Sequence, residues 1–325
     1  MLRILNIEPD NYSRKAYRVL QTVGTVDERP LAQMQLGQYS SPRHQLLALI
    51  SNYDVLITRL GFYIDADIIA AGTRLKAIVT ATTGLDHIDL AAAAQHGVAV
   101  LSLRGEETFL RTVPATAEHT WGLLLALVRH IPQAFTAVSQ GEWDRDQFRG
   151  RDLFGKRLGI VGLGRIGQIV ARYGTTFGMI VQAYDPYLDT WPPTVTQMPT
   201  LDELLTTSEI VTIHIPLNDN TTNLIGEHEF KQMQPGAWLI NTSRGAIINE
   251  VALLKALQSN HLGGAALDVL TAETTGTITT SHPLIRYAQT HTNLLLTPHI
   301  GGCTADSMAM TEIFMAKKLQ KLFAE

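Results

Sequence analysis

Three side chains suited to chemistry on a small carboxylate follow predicted strands of this sequence. Arg244 comes after an apolar run in WLINTSRGAIIN, Glu273 after another in GAALDVLTAE, and His299 after a third in LLLTPHIGG. An arginine can hold a carboxylate through two hydrogen bonds, and a histidine can exchange a proton near neutral pH. A carboxylate bonded to the other ring nitrogen would fix the tautomer of that histidine. Beside a nicotinamide, these groups would suit hydride transfer to a 2-oxo acid.

Each of these residues also has a plainer interpretation. The chain contains 11 histidines, most of which must face solvent or form ordinary hydrogen bonds. Arg244 could belong to a structural ion pair, and Glu273 could be a charge on a surface loop. Position alone favours neither interpretation. The single cysteine, Cys303, is expected to be a small buried side chain rather than a nucleophile.

The stretch KRLGIVGLGRIGQIV, residues 156–170, predicts a buried strand, a glycine turn and the start of a helix. In such a turn Gly162 permits the tight bend, Gly164 lets the backbone approach a pyrophosphate, and Gly167 lets the helix pack on the strand. The first N–H groups of the helix then face the phosphates. A lone glycine motif is a weak signal, but the apolar spacing on both sides strengthens it. The stretch therefore predicts a dinucleotide site.

An acidic residue follows the next predicted strand. Asp185 closes the segment MIVQAYD at about the twenty-residue spacing from the glycines at which a carboxylate accepts hydrogen bonds from the adenosine ribose. The alternative is a strand-end carboxylate that faces solvent. The residues directly after it, Pro186 to Leu188, include no arginine to receive a 2'-phosphate. We therefore predict NAD as the cofactor, in preference to NADP.

The rest of the sequence repeats a strand-then-helix rhythm in two series, which predicts an α/β fold. A less regular stretch, 102–113, separates the two series and is interpreted as a hinge. The last helical pattern, about 305–323, has no strand after it and is available to pack back on the first series. The predicted strands are 2–7, 55–58, 77–80 and 98–101 in the first series, and 158–161, 179–184, 210–213, 237–240, 264–267 and 293–296 in the second.

Composition limits the class of protein. With 325 residues, of which 45% are hydrophobic, the chain is long enough for two domains. Its formal net charge of -4 gives no reason to expect a nucleic-acid partner. We expect no membrane span or signal peptide, since the apolar runs are short. One cysteine allows neither an intrachain disulfide nor a thiolate metal cluster, so we expect a cytoplasmic protein without a metal.

Six segments resemble, in order and spacing, the NAD-dependent D-isomer-specific 2-hydroxyacid dehydrogenase family, which includes phosphoglycerate dehydrogenases and glyoxylate/hydroxypyruvate reductases. The segments are ATAEHTWGLLLAL, GKRLGIVGLGRIG, HIPLNDNTTNLIG, LINTSRGAIINE, ALDVLTAE and TPHIGG. The resemblance covers nearly the whole chain. It implies a Rossmann cofactor domain at 102–299 and a discontinuous, flavodoxin-like substrate domain made of 1–101 and 300–325, each doubly wound with a parallel sheet. It also implies a homodimer, built mainly through the cofactor domains.

The same resemblance implies a role for each matching residue. In the catalytic set, Arg244 would bind the substrate carboxylate and carbonyl, His299 would be the acid/base and Glu273 its hydrogen-bonded partner. Substrate contacts would come from Arg59, Thr83, Gly84 and Arg244. Cofactor contacts would come from Thr83, Gly162, Gly164, Arg165, Ile166, Gly167, Asp185, Ile215, Pro216, Thr242, Ser243 and Asp268, with Asp268 near the nicotinamide.

The resemblance implies an oxidoreductase acting on a small D-2-hydroxy acid or its 2-oxo acid, and it leaves the particular acid open. Formate dehydrogenases are similar but pair their histidine with glutamine, so Glu273 argues against them. Phosphite dehydrogenases keep the arginine, glutamate and histidine, so an unusual small anion is one alternative. A corepressor-like protein that senses NAD is another, because such proteins share the fold and the same three residues.

Overall fold

The computed structural model describes residues 1–30, 41–271, 273 and 278–324. Its strands are β1 Leu2–Asn6, β2 Gly24–Glu28, β3 Val55–Thr58, β4 Ala77–Thr80, β5 Ala99–Leu101, β6 Arg157–Val161, β7 Ile180–Tyr184, β8 Thr196–Gln197, β9 Ile210–Ile213, β10 Trp238–Asn241, β11 Gly264–Leu267 and β12 Leu294–Leu296. Its α-helices are α1 Arg14–Val23, α2 Pro42–Leu49, α3 Ala66–Ala71, α4 Leu90–Gln95, α5 Glu107–Leu110, α6 Ala115–Val128, α7 Ile131–Ser139, α8 Arg165–Thr176, α9 Leu201–Thr207, α10 Glu227–Gln232, α11 Glu250–Gln258, α12 Pro283–Ala288 and α13 Ala305–Ala324.

The chain divides into two compact units. The first is Met1–Val113 with Thr304–Glu325, and the second is Pro114–Cys303. Both are α/β units whose paired strands run parallel. The predicted fold class is confirmed. Parallel strands need long crossover connections, and helices supply them here.

The first unit contains a five-stranded sheet in the order β2-β1-β3-β4-β5, which is the flavodoxin-like order. Every residue of β3 and β4 is buried, as expected for strands covered on both faces. The C-terminal helix α13 packs against α1, and Met315, Ala316 and Leu319 are buried in the same apolar cluster as residues of β1, β3 and β4. The return of the last helix to the first unit is therefore confirmed.

The second unit contains a seven-stranded sheet in the order β12-β11-β10-β9-β6-β7-β8. The strand order reverses between β6 and β9, which is the switch point at which open α/β sheets bind ligands. Apolar clusters lie on its strands and helices, with Leu239, Leu253 and Leu257 fully buried in one of them and Ile160 and Ile240 in another. This is a doubly wound, Rossmann-type sheet.

The bounds of the units lie later than those predicted, at 113/114 and 303/304 rather than 101/102 and 299/300. Residues 102–113 stay with the first unit because they are bonded to α13. Lys318 Nζ donates to the carbonyl of Ser102 and to the Glu106 carboxylate, and the rings of Phe109 and Phe314 stack at 4.1 Å. The stretch that was interpreted as a hinge thus includes a packed helix, α5.

Two strands escaped prediction, and one side chain lies elsewhere than predicted. β2 and the two-residue β8 are edge strands whose sequences, GTVDE and TQ, are too polar to stand out. Cys303 is exposed, so its expected burial is wrong. Its N–H donates to the carbonyl of Ile300 at 2.9 Å and closes a tight turn.

The described residues include no group of three or more side chains that could hold a metal ion. No single helix in that part of the chain is long and apolar enough to cross a membrane. The bent pair Glu107–Val128 and Ile131–Ser139 meets those limits by length and composition alone.

Candidate active site

The glycine turn joins β6 to α8, and two of its glycines are required by the fold itself. Gly162 has a φ of +89°, and a Cβ there would lie 2.5 Å from Ile215 Cγ2 and 2.7 Å from the carbonyl oxygen of His214. A Cβ on Gly167 would lie 2.2 Å from the carbonyl oxygen of Gly162. Any larger residue at either position would force the turn away from the neighbouring strand or helix.

The second glycine of the turn has no such structural reason. A Cβ on Gly164 would meet no described atom within 4 Å. Gly164 is also the N-cap of α8, a helix of 12 residues, and the first N–H groups of a helix have no acceptor within the helix itself. Space without a side chain at a helix N-terminus fits a phosphate group. The turn therefore fits the pyrophosphate of a dinucleotide.

Asp185 directly follows β7 and is bonded to the same turn. Its Oδ2 accepts the N–H of Leu163 at 2.9 Å, and its Oδ1 accepts the N–H of Tyr187 at 3.0 Å. A carboxylate has about four acceptor sites, so two backbone bonds leave capacity for ribose hydroxyls. The carboxylate anchors the glycine turn, and its contact with the ribose stays a prediction.

The other predicted cofactor residues of this unit lie around the turn and at the ends of β9 and β10. The Ile215 side chain lies beside Gly162, and Pro216 follows it. Arg165 and Ile166 open α8, and burial lowers the pKa of the Arg165 guanidinium. Thr242 is buried, and its Oγ1 lies 2.8 Å from Thr120 Oγ1 of α6.

The loop that carries Arg244 is held by a buried asparagine at the end of β10. Asn241 Oδ1 accepts both the N–H and the hydroxyl of Ser243, at 3.0 and 2.8 Å, and Asn241 Nδ2 donates to the carbonyl of Arg244. A guanidinium N–H of Arg244 donates to the carbonyl of Ser243 at 2.8 Å. Asn241 was not predicted as a site residue, and its place in a buried strand gave no signal.

The same loop touches the end of the next strand. A Cβ on Gly245 would lie 2.1 Å from the carbonyl carbon of Leu270 and 2.4 Å from the nitrogen of Thr271. Glycine is therefore needed directly after Arg244 so that two backbone segments can meet. This close approach brings the segment of Arg244 next to the segment that leads to Glu273.

His299 and Glu273, which the resemblance pairs, lie within hydrogen-bond distance of each other. His299 Nδ1 lies 2.9 Å from Glu273 Oε1, with 24% and 19% of the two side chains exposed. Among the described residues, Nε2 of His299 has no hydrogen-bond partner. One ring nitrogen is thus held by a carboxylate, and the other is available to a substrate.

The backbone of His299 is in the left-handed region, with a φ of 53°. Such a conformation is uncommon for a residue with a side chain, and the surrounding structure must hold it. Asp268, at 1% exposure, does so: its backbone carbonyl accepts the N–H of His299, and its carboxylate accepts the N–H groups of Ile300 and Gly301 at 2.9 and 2.7 Å.

Two further side chains orient the Asp268 carboxylate. Thr297 Oγ1 donates to Asp268 Oδ1 at 2.6 Å, and His119 Nε2 lies 3.1 Å from the same oxygen. His119 was not singled out as a site residue, although it lies within ATAEHTWGLLLAL, one of the segments that carried the resemblance. In the structure Asp268 holds the His299 loop, and its predicted contact with the nicotinamide stays a prediction.

Three predicted substrate residues belong to the first unit. Thr83 is exposed and Gly84 half-buried, after β4. The Gly84 carbonyl accepts the hydroxyl of Thr82 at 2.8 Å. Arg59, after β3, donates from its guanidinium to Glu312 Oε1 at 2.5 Å and to the carbonyl of Asp10 at 3.0 Å. Its predicted substrate contact would compete with this ion pair.

Comparison with known proteins identifies the family. Residues 121–301 match the model for the D-isomer specific 2-hydroxyacid dehydrogenase, NAD binding domain. The chain is 33% identical to a D-3-phosphoglycerate dehydrogenase of Methanocaldococcus jannaschii, over 99% of this chain and 57% of that protein. It is 35% identical to a hydroxypyruvate reductase of Thermotoga maritima, over 86% and 88% of the two chains. The chain therefore belongs to the D-isomer specific 2-hydroxyacid dehydrogenase family.

A solved structure has the same fold over nearly the full chain. The TT0316 protein of Thermus thermophilus superposes with a TM-score of 0.84 and 30% identity, covering 99% of this chain and 97% of that one. The chain spans about half the length of the curated phosphoglycerate dehydrogenases that it matches. The hydroxypyruvate reductase is nearer in length.

Proposed function

We propose that this protein is an NAD(H)-dependent oxidoreductase that interconverts a small 2-oxo acid and the corresponding D-2-hydroxy acid. The observation that carries the proposal is the His299 and Glu273 pair, with one ring nitrogen bonded and the other available, in the unit that contains the dinucleotide turn. Family membership supports the reaction class. When bound, the nicotinamide supplies the hydride for reduction and accepts it for oxidation.

The side chains would divide the remaining work. In the direction of reduction, His299 donates the proton on Nε2 to the carbonyl oxygen, which becomes the hydroxyl. Glu273 keeps the proton on Nδ1 and stabilises the charged ring before the transfer. Arg244 would bind the substrate carboxylate and polarise the carbonyl through its planar guanidinium.

The role of Arg244 is tested by Arg244→Lys, which keeps the positive charge but removes the planar pair of donors. We expect a raised KM for the oxo acid and a lowered kcat, with the affinity for NADH nearly unchanged because Arg244 is not assigned to the cofactor. Steady-state kinetics beside a cofactor titration give both quantities. Wild-type kinetics for the substrate would remove Arg244 from the site.

A panel of 2-oxo acids with NADH tests the function itself. Hydroxypyruvate and glyoxylate come first, because the relative of similar length is a hydroxypyruvate reductase. Phosphite with NAD is a further arm, since the same three residues would suit that anion. Rapid oxidation of NADH with a 2-oxo acid supports the proposal. NADH binding without turnover of any compound would contradict it and favour a sensing role.

We propose a homodimer formed through the second unit. Helix α7 exposes Ile131, Phe135 and Val138 on one face, at 52%, 75% and 50% exposure, and Trp143 and Phe154 in the same unit are 90% and 81% exposed. So much apolar surface favours a partner, and a second copy of the chain is the occupant that the family resemblance implies. Light scattering after size exclusion should give the mass of two chains for the wild type. Phe135→Glu should reduce the measured mass to that of one chain.

A cytoplasmic location is proposed on the single cysteine, which leaves the chain without an intrachain disulfide. Fractionation of cells that express the protein would test it.

A further inference from the structure

One carboxylate outside the catalytic set is bonded to two points on either side of Glu273. Glu250 Oε1 accepts the N–H of Thr271 at 2.8 Å, and Glu250 Oε2 lies 3.3 Å from His282 Nε2. The side chains of Glu250 and His282 are 19% and 12% exposed. The two contacts therefore form a partly buried bridge from Thr271, before Glu273, to His282, after it.

Both ends of this bridge are attached to packed elements. Glu250 is the first residue of α11, whose N-cap is Asn249, and Leu253 and Leu257 of that helix are fully buried. His282 is the N-cap of α12, whose Leu284 and Tyr287 are buried. The carboxylate of Glu250 also lies at a helix N-terminus, where a negative charge is favoured.

His282 takes part in the bridge through one polar contact. Its Nδ1 is buried and, among the described residues, has no hydrogen-bond partner. The Glu250 carboxylate is thus the polar contact that orients this ring. An exposed ion pair contributes little, but a partly buried carboxylate that also accepts a backbone N–H joins two segments of the chain.

Thr271 is the residue through which this restraint reaches the catalytic pair. Its nitrogen lies against Gly245, directly after Arg244, and it stands two positions before Glu273. The N–H of Glu273 donates to the carbonyl of Leu270 at 3.4 Å, so the position of Glu273 follows that of the 270–271 backbone. A fixed position of Thr271 therefore fixes the backbone from which the Glu273 side chain reaches His299.

We propose that Glu250 and His282 are positioning residues that hold Glu273 in hydrogen-bonding register with His299. The inference rests on the proposed function only for its effect on turnover, since the Glu273 and His299 contact is a property of the structure. The charged groups described around His299 are Glu273, on its ring, and Asp268 with His119, on its backbone loop.

The test measures the protonation of the His299 ring directly. Histidine labelled with ¹³C at Cε1 gives one signal for each ring, and the signal missing from His299→Ala is that of His299. Its titration midpoint is measured in the wild type, Glu273→Gln, Glu250→Ala and Glu250→Gln. Because Glu273 favours the charged ring, Glu273→Gln should move the midpoint to lower pH. Glu250→Ala should move it in the same direction by a smaller amount.

Glu250→Gln keeps an oxygen for the Thr271 N–H but loses the charge that faces His282. We expect it to shift the midpoint less than Glu250→Ala. The matched control is Glu229→Ala, which removes another helix-start carboxylate of the same unit, bonded to the N–H of Gly226. It should leave the His299 titration unchanged. A shift in the control equal to that in Glu250→Ala would overturn the proposal.

A double-mutant cycle decides whether Glu250 acts through Glu273. In the Glu273→Gln background, Glu250→Ala should cause no further change of the His299 midpoint. An equal shift in both backgrounds, or a wild-type midpoint in Glu250→Ala and in Glu250→Gln, would overturn the proposal. If Glu250→Ala does not fold, the cycle is run with Glu250→Gln.

Kinetics separate this proposal from the proposed function. With an accepted 2-oxo acid, Glu250→Ala should lower kcat several-fold and leave the KM for NADH unchanged. If the wild type reduces no 2-oxo acid but the midpoint moves as expected, the positioning role stands and the proposed function fails. If turnover is found and the midpoint does not move, the positioning role fails alone.

Discussion

Both units of this protein contain a pair of acidic and basic side chains in which the basic residue follows a strand, β3 in the first unit and β12 in the second, and the two pairs differ in what surrounds them. In the first unit Arg59 is bonded to Glu312, and the two side chains are 20% and 2% exposed. In the second unit His299 is bonded to Glu273, at 24% and 19% exposure. Both pairs join residues from different elements. Both carboxylate oxygens of Glu312 are bonded, whereas Nε2 of His299 has no partner among the described residues.

The first pair is closed by its neighbours. The second oxygen of Glu312 accepts the N–H of Ser13 at 2.6 Å, and the Tyr12 ring lies beneath the Arg59 guanidinium at 5.7 Å. Burial raises the pKa of the Glu312 carboxyl and, more strongly, that of the Tyr12 hydroxyl. With both oxygens of Glu312 bonded, the pair joins α13 to the segment that follows β3. The predicted contact of Arg59 with substrate stays a prediction.

The largest effect is expected from breaking the pair of His299 and Glu273. His299→Ala removes the proton donor, and general acid/base catalysis contributes roughly 10²- to 10⁴-fold, so kcat should fall by that order. The melting temperature should change little, because the ring is partly exposed. Steady-state kinetics with the accepted oxo acid and thermal unfolding supply the two numbers. Retained turnover would show that another group supplies the proton.

Breaking the pair of Arg59 and Glu312 should give the opposite result, a large loss of stability. Arg59→Ala leaves the buried Glu312 carboxylate without its cation, and such changes cost about 3 to 5 kcal/mol. Without Arg59 the folded state holds the Glu312 proton more tightly than the unfolded chain does, so the loss should grow as pH rises. Urea unfolding at low and at neutral pH measures both effects.

The control for Arg59 is Arg149→Ala, which removes an exposed partner of Asp146. Exposed pairs contribute little, so its unfolding midpoint should stay near that of the wild type. Equal stability of Arg59→Ala and Arg149→Ala would show that the pair of Arg59 and Glu312 is not structural. It would favour the predicted contact of Arg59 with the substrate.

Asp185 sharpens the comparison, since its carboxylate is bonded to the protein and is proposed to bind cofactor as well. We expect the wild type to prefer NADH to NADPH, because a 2'-phosphate would be repelled. Asp185→Ser loses a charged acceptor worth about 1.5 to 3 kcal/mol, so NADH should bind more weakly and NADPH be better tolerated. Catalytic efficiency with each cofactor is the measurement. Equal use of both by the wild type would leave the ribose assignment unsupported.

The smallest effect is expected from His214, another histidine of the second unit. His214 follows β9, its Nε2 lies 2.9 Å from Thr212 Oγ1, and burial lowers the pKa of its ring from 6.5 to about 3. Below pH 6.5 the unfolded chain takes up a proton that the folded one does not. As the pH falls below 6.5, the free energy of unfolding should therefore decrease with a slope approaching about 1.4 kcal/mol per pH unit. His214→Gln should flatten this slope, and an unchanged slope would contradict the buried, neutral ring.

Much of the fold could be predicted from local pattern. The apolar runs that became β3, β4, β6 and β9 are short, β-branched and buried, which distinguishes them from helix. The edge strands β2 and β8 could not be found that way, because their sequences, GTVDE and TQ, lack the apolar signal that the edge strands β5 and β12 carry. The bounds of the units also depended on contacts that no local pattern shows, such as Lys318 with Ser102.

The sequence by itself determined which groups are present and where each stands relative to its own strand. It placed the glycines before α8, Asp185 after β7, and Arg244, Glu273 and His299 after three strands, because backbone propensity and apolar period act over a few residues. Only the tertiary structure decided what each group is bonded to. Arg59 meets Glu312 across 253 positions and His119 meets Asp268 across 149. Such partners are chosen by packing of the whole sheet, since a buried charge must find a partner wherever the fold brings one.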